Sequence, residues 1–218
     1  MELTVAKRLY HHGNLRGALL RSAVKVLNET GVESLSLREL ARDLGVSHAA
    51  PMRHFASKAD LLRALAEEGV DLLIDRMRGA ATAQSGRERL RQIANAYIDW
   101  ACSHAAYHRI LRNPDVVRYA QDSLSEKIEK SAELQRVEIR CAQSEGWRAN
   151  ADSEVLLQHL ISLTAGLAIV ATDPVYQRAL GGLTSSDHLA NTLDLFFGPE
   201  GEAKRDAVPF SYAFSEHS

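Results

Sequence analysis

Apolar residues recur every three or four positions along almost the whole chain, in blocks closed by glycine, proline or a short polar joint. In the first block Leu15, Leu19, Ala23, Val26 and Leu27 share one face. Asn14 stands where a capping residue is needed and Gly31 follows the end, so the spacing predicts a helix from Asn14 to about Thr30. The stretch from Ser36 to Phe55 then reads SLRELARDLGVSHAAPMRHF. Ser36 and Glu39 have the spacing of a capping box, and Leu37, Leu40, Ala41 and Leu44 mark a short amphipathic helix. Gly45 supplies a left-handed turn, Val46 returns to the core, and Ser47 is positioned to cap a second helix. Pro51 falls near the end of that helix's first turn, where few donors have partners to lose, so a short, tight helix is expected. Helix-turn-helix is the natural reading. Ser57 opens a further pattern with Leu61, Leu62, Leu65, Ala66, Gly69, Leu72 and Leu73, fading near Gly79.

Beyond the polar joint at 84–86, Leu90, Ile93, Tyr97, Trp100 and His104 repeat at the same spacing, and Pro114 closes the short segment that follows. A long pattern from Asp115 to Glu145 carries Leu124, Ile128, Leu134, Val137 and Cys141 and ends at Gly146. Leu156, Leu160, Leu163, Leu167 and Val170 form a stripe that runs until Pro174, with Ala165 and Gly166 beside it. The last block, from about Ser186 to Phe197, puts Leu189, Leu193 and Phe196 on one face before Gly198 and Pro199. No strand pattern competes. The fold class expected is all-α: a helix-turn-helix domain of about four helices over 1–58, a helical domain of about five over 59–197, and an aperiodic, flexible tail over 198–218.

Composition adds bounds to this picture. A chain of 218 residues, 45% hydrophobic and 25% charged, has ample material for a packed core. The net charge of −2 hides an asymmetry: residues 1–62 hold nine Lys plus Arg against six Asp plus Glu, and the remainder seventeen against twenty-two. The basic excess therefore sits on the helix-turn-helix side, as phosphate binding requires. Cys102 and Cys141 are too few for a disulfide framework or zinc module. The N-terminus lacks a signal-peptide core, and the longest nearly apolar run, Leu160 to Ala171, is too short to span a bilayer, so no membrane partner and a cytoplasmic location are expected. No HExxH, paired-carboxylate, nucleophile-elbow or phosphate-loop pattern occurs, so neither catalytic residues nor a cofactor is expected. The nine histidines keep a helical metal-dependent enzyme as an alternative. His104 and His108 have the spacing of a helical metal pair, but the chain is expected to bend between them and no third ligand is near, so no metal is assigned.

The run from Tyr10 to about Met77 resembles the DNA-binding domain of TetR/AcrR-type transcriptional regulators. The resemblance rests on the arm YHHGNLR, on ETGVESLSLRELA, on the turn DLGVS, on a reading segment ending RHF, and on SKADLL. Downstream it extends to architecture. YIDWACSHAAYHRILRNP loosely resembles a subgroup with the same arm, although Ile161 and Ala165 stand where that subgroup carries a Trp and a His beside Gly166. The resemblance implies a reading helix in the major groove, whose short N-terminal side chains let the backbone approach base edges. Here those residues are Ser47, His48, Ala49 and Ala50. Arg38 matches the family residue that reaches into the groove, and Ser36, Ser47, Arg53, His54 and Lys58 are expected on phosphates. Met52 replaces a tyrosine common among relatives, so it packs against DNA without donating a hydrogen bond. Lys7, Arg8, His11, His12 and Arg16 either brush the adjacent groove or form a solvated basic arm.

In this family the last two helices pair with their copies, so Leu156, Leu160, Leu163, Leu167, Leu189, Leu193 and Phe196 are expected at a homodimer interface, the alternative being ordinary core. Two-fold symmetry also suits a small reading head, which covers too few base pairs alone. Tyr97, Trp100, His104, Tyr107, His108 and Tyr119, with Trp147 and His159, are expected around a cavity for a small, mostly apolar effector, or else as core aromatics. The function implied is an effector-released repressor that binds a pseudo-palindromic double-stranded operator. An activating or effector-independent regulator is the alternative within the same class.

Overall fold

The computed structural model describes residues 14–114, 116, 122–180 and 186–198, and among them every regular element is helical. The basic arm at 7–12, Tyr119 and the tail beyond Gly198 lie outside the described residues.

Helix α1 (Leu15–Glu29) starts where Asn14 accepts from the Gly17 amide at 2.8 Å and buries Leu19, Ala23 and Leu27. Helix α2 (Leu37–Asp43) follows an extended Ser36, but no capping box forms there. The Ser36 hydroxyl makes no capping bond, and Glu39 instead lies 3.8 Å from Arg42 on its own helix. By contrast, Ser57 accepts from the Asp60 amide at 3.1 Å and opens α3 (Lys58–Ala80) as its sequence requires.

Helix α4 (Gly86–Ser103) breaks at His104, whose φ of −128° and ψ of 46° are not helical, before the short α5 (Ala105–Ile110) resumes. Then come α6 (Asp122–Ser144), α7 (Ser153–Thr172), α8 (Pro174–Leu180) and α9 (Ser186–Phe197). Pro174, expected only to stop a helix, begins one: it sits at the first helical position, and Asp173 accepts from the Val175 amide at 2.7 Å.

Two buried clusters organise the chain. The larger joins Leu19, Leu40 and Phe55 to Leu61, Leu65 and Met77 of α3 and on to Trp100, Ala106 and Ile110. Packing therefore continues from the helix-turn-helix across residue 58, through α3, to the aromatic segment. Each fully buried leucine in it contributes on the order of 2 kcal/mol relative to exposure. The second cluster holds Leu90, Ala94 and Ile98 of α4 against Ile139, Leu156, Leu160, Leu189, Leu193 and Phe197. Helices α4 and α6 are stitched by Arg89, which donates to Glu138 at 2.7 Å, and by Glu145, which accepts from the Gly86 amide at 2.9 Å.

Leu156, Leu160, Leu189 and Leu193 are thus 8% exposed or less and pack inside their own chain. Leu163 and Leu167 pack against the same cluster, and Phe196 is half-buried on Trp147. The stripe is core because α4 and α6 lie on that side of α7. The opposite side carries Val155 and Ile161, with Leu195 of α9 84% exposed. Helix α7 as a whole, 20 residues, is long and apolar enough to cross a membrane by length and composition, with a third of its apolar window buried here. The apolar run in the sequence understated this because Val155, Leu156 and Leu157 extend it past His159.

Candidate functional site

Gly45, at φ 67°, provides the left-handed residue that turns the chain out of α2. Beyond it the expected second helix is not α-helical. Ala50 donates to the Ser47 carbonyl at 3.0 Å, Arg53 to Ala50 at 3.3 Å and His54 to Pro51 at 2.9 Å, so the chain winds through a turn into a 3-10 helix over Pro51–Arg53. Proline explains the tighter winding. Residue 51 has no amide hydrogen to give the Ser47 carbonyl, and that carbonyl takes the Ala50 amide instead. Ser47 makes no side-chain cap bond to this element. Buried Pro51 and Phe55 anchor it to the core, and Arg16 lies over the Phe55 ring at 5.5 Å.

Arg38, Ser47, His48, Ala49, Met52, Arg53 and His54 are all exposed, while Ser36, Ala50 and Lys58 are half-buried. An open groove of about 570 Å³ brings Ser36, Arg38 and His48 together with Glu33, Ser34, Glu39 and Arg42. Lys58 reaches its rim, donating to the Glu33 carbonyl at 3.5 Å. Arg42, Glu33, Ser34 and Glu39 were not among the expected contacts. The i, i+4 relation of Arg38 and Arg42 on α2 was the available signal for Arg42. Guanidinium, imidazole and hydroxyl groups on one rim match phosphate and base-edge acceptors, and the two carboxylates can accept only from amines such as that of cytosine.

At the other end of α3 lies the aromatic segment. Trp100 stacks on His104 with ring centres 6.3 Å apart and meets His108 edge-on at 6.0 Å, while Tyr97 contacts both Trp100 and His108 at 6.0 Å. Tyr107 joins through His104. The break at His104 folds α5 back on α4 and makes this cluster possible. The Tyr97 hydroxyl lies 3.4 Å from His108 Nε2, and the His104 Nδ1 lies 3.2 Å from the Trp100 carbonyl, so the two histidines serve different partners. Burial holds the His108 imidazolium down to a pKa of about 4, with the nearby Arg112 charge adding to the effect. Burial likewise pushes the Tyr107 phenol up to about 12, helped by Glu68, to which Tyr107 donates at 3.2 Å.

Two expected members are elsewhere. His159 is exposed, its Nδ1 2.7 Å from the Val155 carbonyl, because it sits on the outward side of α7. Trp147 packs on Phe196 and Phe197 in the second cluster and donates to the Phe197 carbonyl at 3.0 Å. A separate open groove of about 390 Å³ lies where α3, α4 and α6 meet, floored by Met77, Ile93, Leu134 and Val137 and edged by charged side chains. No group of three or more metal-capable side chains occurs among the described residues.

The aromatic cluster touches the reading end through α3. Gly69 faces Tyr107 so closely that a side-chain carbon there would fall 2.9 Å from the Tyr107 Cβ.

Comparison with known proteins agrees with this geometry. Residues 19–65 match the family described as bacterial regulatory proteins, tetR family. The HTH-type transcriptional activator FasR of Mycolicibacterium smegmatis is 30% identical over 118 residues, 54% of each chain, so the match spans about half that relative's length. The class C tetracycline repressor protein of Escherichia coli is 48% identical over 52 residues, 24% of each chain. Among solved structures, a protein of unknown function from Rhodococcus sp. RHA1 superposes with a TM-score of 0.74 at 30% identity, covering 88% of this chain and 97% of that one.

Proposed function

Since the chain belongs to the TetR family of bacterial regulatory proteins, DNA-binding regulators of transcription rather than enzymes, we propose that it is an effector-released repressor acting as a cytoplasmic homodimer on a pseudo-palindromic operator. The observation that carries this reading is the open groove on which Arg38, Arg42, Ser36 and His48 converge beside the proline-tightened reading segment. Arg38 is assigned the base contact and His48 a neighbouring one. Ala49 and Ala50 meet thymine methyls, Met52 packs against the backbone, and Ser36, Ser47, Arg53, His54 and Lys58 hold phosphates.

The uncovered apolar side of α7 and α9 supports the dimer, with Val155, Ile161 and Leu195 in place of the leucine stripe. A protomer whose most apolar helix leaves Val155 and Ile161 exposed is suited to a second copy. The aromatic segment supports the effector site, with Tyr97, Trp100, His104 and Tyr107 around His108. An effector releases DNA only if it binds better to a form whose two reading heads are wrongly spaced, and α3 is the element that joins head and sensor.

Binding to the promoter region of the chain's own gene is the decisive experiment. Specific retardation that weakens steeply with salt is expected. Equal affinity for random DNA would remove the sequence-specific reading. Activation in place of repression is a second reading, favoured by the similarity to FasR, which is named an activator. A promoter-reporter assay in a deletion strain separates them by the sign of the change.

A further inference from the structure

Two polar atoms in the described residues are sealed from solvent and have no hydrogen-bond partner: the Trp100 indole Nε1 and the His108 imidazole Nδ1. They belong to adjacent rings, packed edge to face at 6.0 Å, on residues 0% and 2% exposed. A protein interior rarely tolerates one such atom, and two side by side call for an explanation. Each leaves a polar group desolvated and unpaired, a cost of about 1–3 kcal/mol. At His108 nothing in the packing requires it, since leucine would fill a similar volume without the penalty.

The chemistry of the missing partner follows from the atoms. An indole nitrogen can only donate. His108 is neutral at physiological pH, so it carries one proton, and its Nε2 lies 3.4 Å from the Tyr97 hydroxyl. When the Tyr97 hydroxyl donates to Nε2, the imidazole proton stands on Nδ1. Both orphan atoms are then donors. Neither atom has a carboxylate partner among the described residues, and Glu68 is engaged by Tyr107.

Resting on the effector-released reading above, we infer that Trp100 and His108 form the recognition site for an oxygen acceptor, a carbonyl-type group carried on a flat, otherwise apolar ligand. The walls of Tyr97, His104 and Tyr107 suit such a body by stacking, and the paired donors give it orientation. Both rings are covered in this structure, so a ligand that reaches them parts α4 from α5. Tyr107 lies on α5 and rests on Gly69 of α3, without clearance for an added carbon. The same opening therefore displaces α3. The closed form holds the two donors unpaired and the opened form pairs them with ligand, which is the differential affinity that a switch requires.

Acetophenone and its hydrocarbon near-isostere α-methylstyrene are the probes, read by nitrogen-15 NMR of the Trp100 indole and the His108 ring in the full chain. The ketone is expected to move the Trp100 Nε1–H resonance downfield and to perturb His108 Nδ1, and the hydrocarbon to leave both near their starting positions. Equal responses to the two probes, or no response of Trp100 to the ketone, overturns the proposal. A second measurement needs no ligand. Replacing His108 together with its hydrogen-bond partner, Tyr97→Phe with His108→Leu, is expected to raise the melting temperature and abolish the ketone response, because it removes a donor kept unpaired for binding. A lowered melting temperature, or lost helix content by circular dichroism, makes the pair a structural requirement and also overturns it. Operator retardation without any probe is run alongside, so that failure of the site and failure of the regulator reading are told apart.

Discussion

The reading end and the sensing end of this molecule use polar side chains in opposite ways. Arg38, His48, Arg53 and His54 stand in solvent around an open groove, on elements only seven and three residues long. Trp100 and His108, at the other end of the same buried cluster, are closed in without partners for their nitrogens. Exposed groups lose little by waiting for DNA, because water satisfies them meanwhile. Buried ones are held at a cost to stability, which the proposed ligand would offset by completing them.

The contrast predicts where each end breaks. The largest effect is expected at the sensing end on acidification. Above about pH 6.5 His108 is neutral folded or unfolded and contributes no pH dependence. As pH falls from there towards 4 the unfolded chain takes up the proton that the folded one refuses, so stability declines by on the order of 3 kcal/mol and then levels. Urea titrations at pH 7 and pH 4.5 measure the decline, and His108→Leu should remove that share of it.

Arg38→Ala acts in the opposite sense, costing about 1–3 kcal/mol of operator binding while leaving the melting temperature close to that of the parent chain. Comparable losses of both would make Arg38 a packing residue and erase the contrast. Between the two ends, Gly69→Ala presses a carbon against Tyr107 and is expected to cost about 1–2 kcal/mol of stability by calorimetry. It should also shift how far a bound effector alters operator affinity. The smallest effect is expected from Pro51→Ala. The restored amide can reach the Ser47 carbonyl, so the reading element lengthens into an α-helix while stability changes by less than about 1 kcal/mol. Selection of operator sequences from a random pool then reports a changed preference.

Much of the architecture was legible from spacing alone. The bounds of α1, α3 and α9 fall within about a residue of their apolar patterns, because each pattern has its own cap or stop residue. The reading segment has the short, tight helix expected of it, and its 3-10 winding was not legible because it depends on the Ala50 amide claiming the Ser47 carbonyl that Pro51 leaves free. What covers the leucine stripe of α7 was not legible for a non-local reason. Periodicity reveals that a helix has an apolar side, not which neighbour covers it, and α7 is apolar on both. The aromatic cluster was visible as residue types. Its unpaired nitrogens were not, since pairing depends on the break at His104 that sets α5 against α4.

Helix α7 carries a consequence for the life of the protein in the cell. On the proposed dimer reading, Val155 and Ile161 of this helix and Leu195 of α9 stay exposed on a newly made protomer until a second copy covers them, and aggregation competes with that pairing. The folded fraction therefore rises with the amount of chain present, and melting temperature is expected to climb with concentration. A dimeric repressor built this way would gauge its own abundance: at low dose it would be poorly assembled and short-lived, and repression would set in over a narrower range of expression than operator affinity alone would give.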